Sequence, residues 1–290
     1  MKQSVFTSFL VRNNIGYERI QKTIVITHAG NVDLSSLTTL PEDTKFENRG
    51  SVYLSSLETL LSGTKFKNAS SVYLSSLKTL PRGTKFENAG AVELSSLTSL
   101  PADTKFENAG AVYLGSLTTL PSGTKFENAG YVFLDSLSGQ TVTYRGKSLN
   151  ILHVDGYTMA IKSSSTRGET TFMRARYFRG GDISDWKKCF IAEREGYTAH
   201  GETPDEAARD VNFKILQSSA DVDDIVARVK ETGLVTLNDY RLLTGACRDG
   251  ALTFLAQNNI PTSCESLPLR EVLKLTKNAY GGDRMQELFA

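Results

Sequence analysis

The stretch TKFENAGAVYLGSLTTLPSG, residues 104–123, decides the fold of the first half of this chain, because near-copies of it recur every 20 residues. Six copies run without a gap from about Thr23 to Ser138. The recurring valines are Val32, Val52, Val72, Val92, Val112 and Val132. Leucines recur at the same interval from Leu34, Leu37 and Leu40, phenylalanines from Phe46 to Phe126, and asparagines from Asn48 to Asn128. A unit this short cannot bury its apolar side alone, so the copies must stack.

Spacing within the unit predicts its local structure. Val112 and Leu114 are two residues apart and face one side of a strand, whereas Tyr113 faces the other side. The tripeptide at 105–107 alternates in the same way, with Phe106 inward, and the Leu-Pro step then turns the chain. We therefore expect a parallel β-solenoid of six 20-residue repeats, with the asparagines in a hydrogen-bonded ladder at one corner.

The repeat also resembles a known class of binding scaffold. The segment VYLSSLKTLP, residues 72–81, resembles bacterial leucine-rich repeats, which share a strand followed by a Leu-x-x-Leu-Pro exit. The resemblance covers about Thr23 to Ser138. It departs from that pattern in a second strand-like segment, TKFEN, and in serines where such repeats usually carry asparagine, at Ser56, Ser76, Ser96 and Ser116. Both a solenoid and a leucine-rich repeat imply a binding scaffold, and neither implies catalysis.

One outward column of the predicted strands is rich in aromatic residues. It consists of Asp33, Tyr53, Tyr73, Glu93, Tyr113 and Phe133. Tyrosine is enriched at the centres of protein interfaces, so Tyr53, Tyr73, Tyr113 and Phe133 are candidate binding residues. The alternative is cross-strand stacking that only stiffens the sheet.

A second outward column carries charges of both signs. Its lysines run from Lys45 to Lys125, and beside them stand Glu47, Lys67, Glu87, Glu107 and Glu127. Exposed ion pairs contribute little free energy, so this column is interpreted as a solvated edge. The whole chain of 290 residues has a net charge of +1, which excludes a protein that coats nucleic acid through overall positive charge.

The periodicity changes after about Gly139. Residues 149–154 and 157–161 read as a hairpin with a two-residue Asp155-Gly156 turn, and strands are expected at 170–178 and 187–195. Thr203 and Glu206 form a predicted capping box around Pro204 at the start of a helix. This order, with the residues AHGETPDEA at 199–207, resembles HicB-type antitoxins. The resemblance implies a small α+β module that grips protein or nucleic acid.

The end of the chain is predicted to be helical. Residues 222–229 have helical spacing and end at Gly233, Thr236 opens a second helix, and two more are expected near 250–258 and 269–278. Acidic residues outnumber basic ones after residue 220, which disfavours a DNA-binding helix-turn-helix and favours a structural bundle. We thus divide the chain into an N-terminal cap (1–22), a β-solenoid (23–140), an α+β module (141–218) and a C-terminal helical bundle (219–290).

The chain has few of the residues that most often bind metals, form disulfides or act in catalysis. The histidines are His28, His153 and His200, and the cysteines are Cys189, Cys247 and Cys264. Neither set has the spacing of a metal site, and the cysteines form no disulfide framework. His153 and Asp155 beside the hairpin turn are interpreted as structural. We predict no catalytic residues, no metal and no cofactor, and a reducing, cytoplasmic location without membrane contact.

The densest basic group lies in the α+β module. It consists of Arg167, Arg174, Arg176 and Arg179, with Arg174 and Arg176 on one strand face. These side chains are candidate ligands for phosphate or an acidic partner. The alternative is an exposed strand face without a ligand.

These patterns predict a non-enzymatic module that binds a protein partner. The repeat and the segment LTGAC at 243–247 resemble uncharacterised phage and prophage proteins, which implies an inhibitor or adaptor acting on a host protein such as a defence system. A homodimer through the aromatic column is a further possibility. The alternatives are a nucleic-acid or nucleotide binder that uses the arginine group, and an enzyme with an unrecognised site.

Overall fold

The computed structural model describes residues 1–246 and 248–289, which form two compact units. The first unit holds residues 1–194 and 198–208, and the second holds residues 195–197 and the chain from residue 209 onward. The finer boundaries expected from sequence, at 22/23, 140/141 and 218/219, stay predictions.

The first unit begins with helix α1 (Gln3–Arg12), which is followed by many short strands. These strands are β1 (Tyr17–Ile20), β2 (Thr23–Ile26), β3 (Val32–Asp33), β4 (Thr44–Phe46), β5 (Val52–Tyr53), β6 (Lys65–Phe66), β7 (Val72–Tyr73), β8 (Lys85–Phe86), β9 (Val92–Glu93), β10 (Lys105–Phe106), β11 (Val112–Tyr113), β12 (Lys125–Phe126) and β13 (Val132–Phe133). A short 3₁₀ turn at Asp135–Leu137 ends the series.

Two sheets run along the repeats, and their strands are parallel except that β1 pairs antiparallel with β2. The lysine sheet has the order β1-β2-β4-β6-β8-β10-β12, and the tyrosine sheet has the order β3-β5-β7-β9-β11-β13. Val52 lies opposite Val72, and Phe86 lies opposite Phe106, so each strand pairs with the strand 20 residues away. The predicted parallel β-solenoid of about six turns is confirmed.

The solenoid core is the set of residues that the repeat places inward. Its valines, its phenylalanines and its first leucine column are fully buried or nearly so. The phenylalanine rings stack from tier to tier, as between Phe66 and Phe86, whose centroids are 5.2 Å apart at 4°. On the third side of the coil scattered backbone hydrogen bonds join the tiers, such as Lys78 N to Glu58 O at 3.0 Å and Thr118 N to Thr98 O at 3.2 Å, and no regular strands form. Two regular sheets and one irregular side therefore enclose the apolar column.

The recurring asparagines form a column at one corner, and the ladder runs through the backbone. Asn88 Nδ2 donates to the carbonyl oxygens of Ser70, Gly90 and Ala91 at 3.0, 3.0 and 3.2 Å. The other asparagines repeat this arrangement. Each buried amide thus joins its own tier to the preceding tier, which explains why the position holds asparagine in the five copies after the first, where His28 stands.

Both ends of the solenoid core are covered within the first unit. Phe6 and Leu10 of α1 are fully buried in the same core as the repeats. At the other end, Tyr144, Phe178 and Trp186 join that core, and the Phe178 ring meets Phe126 edge-on at 5.9 Å.

A six-stranded antiparallel sheet follows the solenoid. Its strands, in spatial and sequence order, are β14 (Thr141–Tyr144), β15 (Lys147–Val154), β16 (Tyr157–Arg167), β17 (Thr170–Tyr177), β18 (Lys188–Arg194) and β19 (Tyr197–Gly201). The predicted hairpin is confirmed, because Val154 pairs with Tyr157 and both turn residues have positive φ, 52° at Asp155 and 81° at Gly156. Strands β14 and β19 are additions that the sequence pattern did not predict.

Helices dominate the rest of the chain. Their bounds are α2 (Pro204–Ser219), α3 (Val222–Thr232), α4 (Leu237–Thr244), α5 (Arg248–Gln257), α6 (Leu269–Thr276) and α7 (Gly282–Phe289), with a two-stranded ribbon of β20 (Leu234–Thr236) and β21 (Ser266–Pro268). The predicted caps are confirmed: Glu206 N donates to Thr203 Oγ1, and Asp239 N donates to Thr236 Oγ1. Cys247 of the LTGAC segment lies outside the described residues.

Candidate functional site

The aromatic residues on the outer face of the tyrosine sheet are stacked and partly buried. This row comprises Asp33, Tyr53, Tyr73, Glu93, Tyr113 and Phe133, and we call it the aromatic row. The rings of Tyr53 and Tyr73 lie 4.9 Å apart at 2°, and those of Tyr113 and Phe133 lie 4.6 Å apart at 2°. Stacking stiffens the sheet, and it also holds the rings in fixed positions with one edge toward solvent.

Small side chains flank the row on both sides. One neighbouring column is Asn31, Ser51, Ser71, Ala91, Ala111 and Tyr131, and the other is Ser35, Ser55, Ser75, Ser95, Gly115 and Asp135. These columns and the row contain acidic residues, at positions 33, 93 and 135, and no lysine or arginine. The face is therefore aromatic and acidic, whereas the recurring lysine column from Lys45 to Lys125 lies on the other sheet.

The aromatic row continues beyond the last repeat into an aromatic cluster. Tyr131, Tyr157 and Tyr177 pack edge to face, with centroid distances of 5.4 Å, 5.6 Å and 5.2 Å between the three pairs. Phe133 lies 6.2 Å from Tyr157 and so links the row to the cluster. Sequence reasoning missed this cluster. The only signal was a tyrosine at 131, where the preceding copies have asparagine, serine or alanine.

A histidine–aspartate pair borders the cluster. His200 Nδ1 lies 2.5 Å from Asp155 Oδ2, and the backbone nitrogen of His200 donates to the same oxygen at 2.9 Å. In the sequence Asp155 stands two residues after His153, and the two are interpreted together as structural. In the structure His153 instead lies beside Asp135, at 3.0 Å from Nδ1 to Oδ1. The pair of Asp155 and His200 connects the hairpin turn to β19 and positions the edge of the aromatic cluster.

Two of the four arginines donate hydrogen bonds to carbonyl oxygens of the protein's own backbone. Arg176 donates to the carbonyl oxygens of Ile183 and Ser184 at 2.9 and 2.6 Å. Arg179 donates to the carbonyl oxygen of Ala129 at 2.9 Å and lies over the Tyr131 ring. These contacts hold the segment around residue 183 and the edge of the last tier.

The other two arginines line an open cleft. Arg167 and Arg174 share a cleft of about 240 Å³ with the serines at 163–165, Phe190 and Pro204. The guanidinium of Arg167 lies 5.9 Å from the Phe172 ring. The arrangement offers hydroxyl groups and two cations to an anion. The fold therefore separates the four predicted arginines into two that bind the protein's own backbone, Arg176 and Arg179, and two that line an open cleft, Arg167 and Arg174.

The lysine sheet is covered by exposed ion pairs. Lys67 lies 2.9 Å from Glu87, and Lys105 lies 2.9 Å from Glu127. The hydrogen bond from Lys67 lowers the pKa of Glu87 below its usual value. Because these groups are largely exposed, the pairs hold side chains in place and add little to stability.

In the described part of the chain, no cluster of side chains meets the requirements of a metal site, and one thiol, that of Cys189, has a shifted pKa. Among residues 1–246 and 248–289, no three His, Cys, Asp or Glu side chains are grouped so that they could hold a metal ion. Burial raises the pKa of the Cys189 thiol to about 12, so it is protonated at neutral pH. In the same part of the chain, none of the helices combines the length and apolar character that crossing a membrane requires.

Comparisons with protein-family models, with curated proteins and with solved structures give no match for this chain. The resemblances to leucine-rich repeats, to HicB-type antitoxins and to phage proteins therefore stay predictions from the sequence.

Proposed function

We propose that this protein is a non-enzymatic scaffold that binds another protein through the outer face of the tyrosine sheet. The observation that carries the proposal is the aromatic row, whose rings are stacked at 4.9 and 4.6 Å and flanked by small side chains. At about 4.8 Å per tier the row is roughly 25 Å long, which suits an extended contact.

The physical argument is one of conformational entropy. Rings that are already fixed by stacking lose little freedom when a partner covers them, so most of the free energy of burying them favours association. Small residues in the neighbouring columns allow a partner's backbone to approach the rings closely. Tyrosine also keeps a polar hydroxyl at its tip, which tolerates water in the unbound state.

The finer proposal concerns the partner. On the resemblance of the repeat and of the LTGAC segment to phage and prophage proteins, we propose a host protein in the cytoplasm, with this chain as inhibitor or adaptor. A homodimer is the alternative, since a symmetric contact would cover the same row twice.

A triple variant tests the proposal. Tyr53, Tyr73 and Tyr113 are changed together to Ser, and Lys65, Lys85 and Lys125 are changed to Ser as the matched control on the other sheet. Proteins captured from a host lysate are identified by mass spectrometry and then titrated against each purified variant, and the mass in solution is measured in parallel. We expect the tyrosine variant to lose the partner or the dimer and the lysine variant to keep it. Unchanged binding by the tyrosine variant would contradict the proposal.

A second candidate function rests on the cleft that Arg167 and Arg174 line. Two cations beside three serine hydroxyls suit the phosphate of a nucleotide or nucleic acid. A salt titration tests this candidate, because phosphate contacts give a steep fall of affinity with salt. Loss of that slope in Arg167→Ala with Arg174→Ala is expected, and a salt-independent affinity would contradict the candidate.

A further inference from the structure

Glu93 interrupts the aromatic row between two tyrosines. Its strand pairs with that of Tyr73 on one side and with that of Tyr113 on the other. Ring pairs in adjacent tiers are 4.9 and 4.6 Å apart, so the rings follow the spacing of the strands. Tyr73 and Tyr113 are two tiers apart, about 9.6 Å at about 4.8 Å per tier. The row therefore has a gap that is one planar group thick.

The Glu93 carboxylate is held to one side of this gap. The backbone nitrogen of Ser95 donates to Glu93 Oε1 at 3.1 Å, and the Ser95 hydroxyl donates to the same oxygen. Among the described residues no hydrogen bond is made to Oε2. The side chain thus places a negative charge next to the space between the rings, and one carboxylate oxygen is available to a ligand.

We propose that this gap is a slot for an arginine side chain of the protein partner. The inference rests on the proposed function and deepens it by naming the group that the surface recognises. A guanidinium is planar, stacks on aromatic rings and donates hydrogen bonds to a carboxylate. Inserted between Tyr73 and Tyr113, it restores the stack at the missing tier and pairs with Glu93.

The charge of the whole face supports a cationic occupant. The row and its flanking columns carry acidic side chains at 33, 93 and 135 and no lysine or arginine. A phosphate-bearing partner would be repelled there, whereas an arginine-bearing segment is attracted. A lysine ammonium can pair with the Glu93 carboxylate, but it is not planar and cannot stack between the two rings. The slot therefore distinguishes arginine from lysine.

Blocked peptides test the slot directly. The probes are acetyl-Gly-Arg-Gly-amide and its lysine and citrulline counterparts, titrated into the full chain with isotope-labelled tyrosine rings. We expect the arginine peptide to shift the Tyr73 and Tyr113 signals, with the lysine peptide at least about fivefold weaker because it cannot stack as a plane. The citrulline peptide, whose side chain is planar but neutral, should not reach saturation in the titration. Equal responses to the three peptides, or none at these two rings, would overturn the proposal.

Two substitutions at one position complete the test. Glu93→Gln removes the charge and keeps the shape, and Glu93→Tyr fills the gap with a ring that continues the stack. Each should weaken binding of the arginine peptide by about tenfold or more, since a charge-assisted contact is lost. Glu47→Gln makes the same change in net charge on the lysine sheet and should have no effect. Melting curves confirm that each variant is folded.

The outcomes separate this inference from the proposed function. If the captured partner binds both Glu93 variants normally but not the triple tyrosine variant, the slot is wrong and the binding surface stands. If the arginine peptide occupies the slot but no partner depends on the tyrosines, the proposed function is wrong, and the slot binds a guanidinium without serving a protein partner.

Discussion

The hydroxyl of Tyr144 hydrogen-bonds with both backbone polar groups of Phe126. It accepts from the Phe126 nitrogen at 3.2 Å and donates to the Phe126 oxygen at 3.3 Å. Phe126 lies in β12, the last strand of the lysine sheet. The backbone nitrogen of Gly181 donates to the same oxygen at 2.9 Å. The Tyr144 hydroxyl and Gly181 N together take the place of a further strand, and the stack of tiers ends without exposing this part of its edge.

Removing this hydroxyl should destabilise the protein. Tyr144→Phe keeps the ring in the core but leaves the N–H of Phe126 without its partner, whereas the C=O keeps its hydrogen bond from Gly181 N at 2.9 Å. The unpaired N–H costs roughly 1–3 kcal/mol of the free energy of unfolding. Urea denaturation measures this loss in the free energy of unfolding. Tyr113→Phe removes a hydroxyl from the partly exposed row and serves as the control, with little expected effect. If the two variants lose the same free energy of unfolding, the hydroxyl of Tyr144 stabilises the protein no more than a partly exposed hydroxyl does.

Truncating the central phenylalanine should open a hole in the stack. Phe86 is fully buried and stacks on both neighbours, with centroids at 5.2 and 5.5 Å. Phe86→Ala should cost about 3–5 kcal/mol, because strands held in register on both sides cannot close the space. The adjacent Lys85 is exposed, and Lys85→Ala should leave the denaturation midpoint nearly unchanged. If the two variants unfold at the same denaturant concentration, the assignment of inward and outward faces fails.

The asparagine corner should not tolerate a carboxylate. Asn88 is 1% exposed and its amide faces three carbonyl oxygens. In Asn88→Asp the introduced group has no proton to donate when ionised, so burial and the carbonyls raise its pKa in the folded state above its unfolded value.

That shift fixes the direction of the pH dependence. The folded state binds the proton more tightly than the unfolded state, so the variant is relatively stable at acidic pH and loses stability as the pH rises through the raised pKa. Denaturation at pH 4 and pH 7, with the wild-type protein as reference, measures the difference. A variant whose deficit is the same at both pH values would contradict this account.

Isolating the repeats should expose both ends of their core. A fragment of residues 23–138 lacks Phe6 and Leu10 at one end and Tyr144, Phe178 and Trp186 at the other. Uncovered tiers present apolar rings and unpaired strand edges, which favour association between molecules. Light scattering after size-exclusion chromatography should detect aggregates. A soluble, monomeric fragment would show that the ends need no cover.

The sequence by itself determined the solenoid and the direction of its side chains. A period of 20 residues and an alternation of two are both local features, and parallel strands stacked in register turn them into columns. Tyr113 therefore faces outward and Val112 inward in the structure, as their spacing predicts. The interruption of the aromatic row by Glu93 is likewise readable from the repeat alone.

Only the tertiary structure determined which side chains contact one another at the last tier of the solenoid. Tyr131, Tyr157 and Tyr177 come from three separate strands or loops, and no spacing along the chain relates them. The same applies to Asp155 and His200, which are 45 residues apart. Such contacts depend on how an antiparallel sheet closes over the last tier, and that geometry comes from packing between distant segments, where local periodicity carries no information.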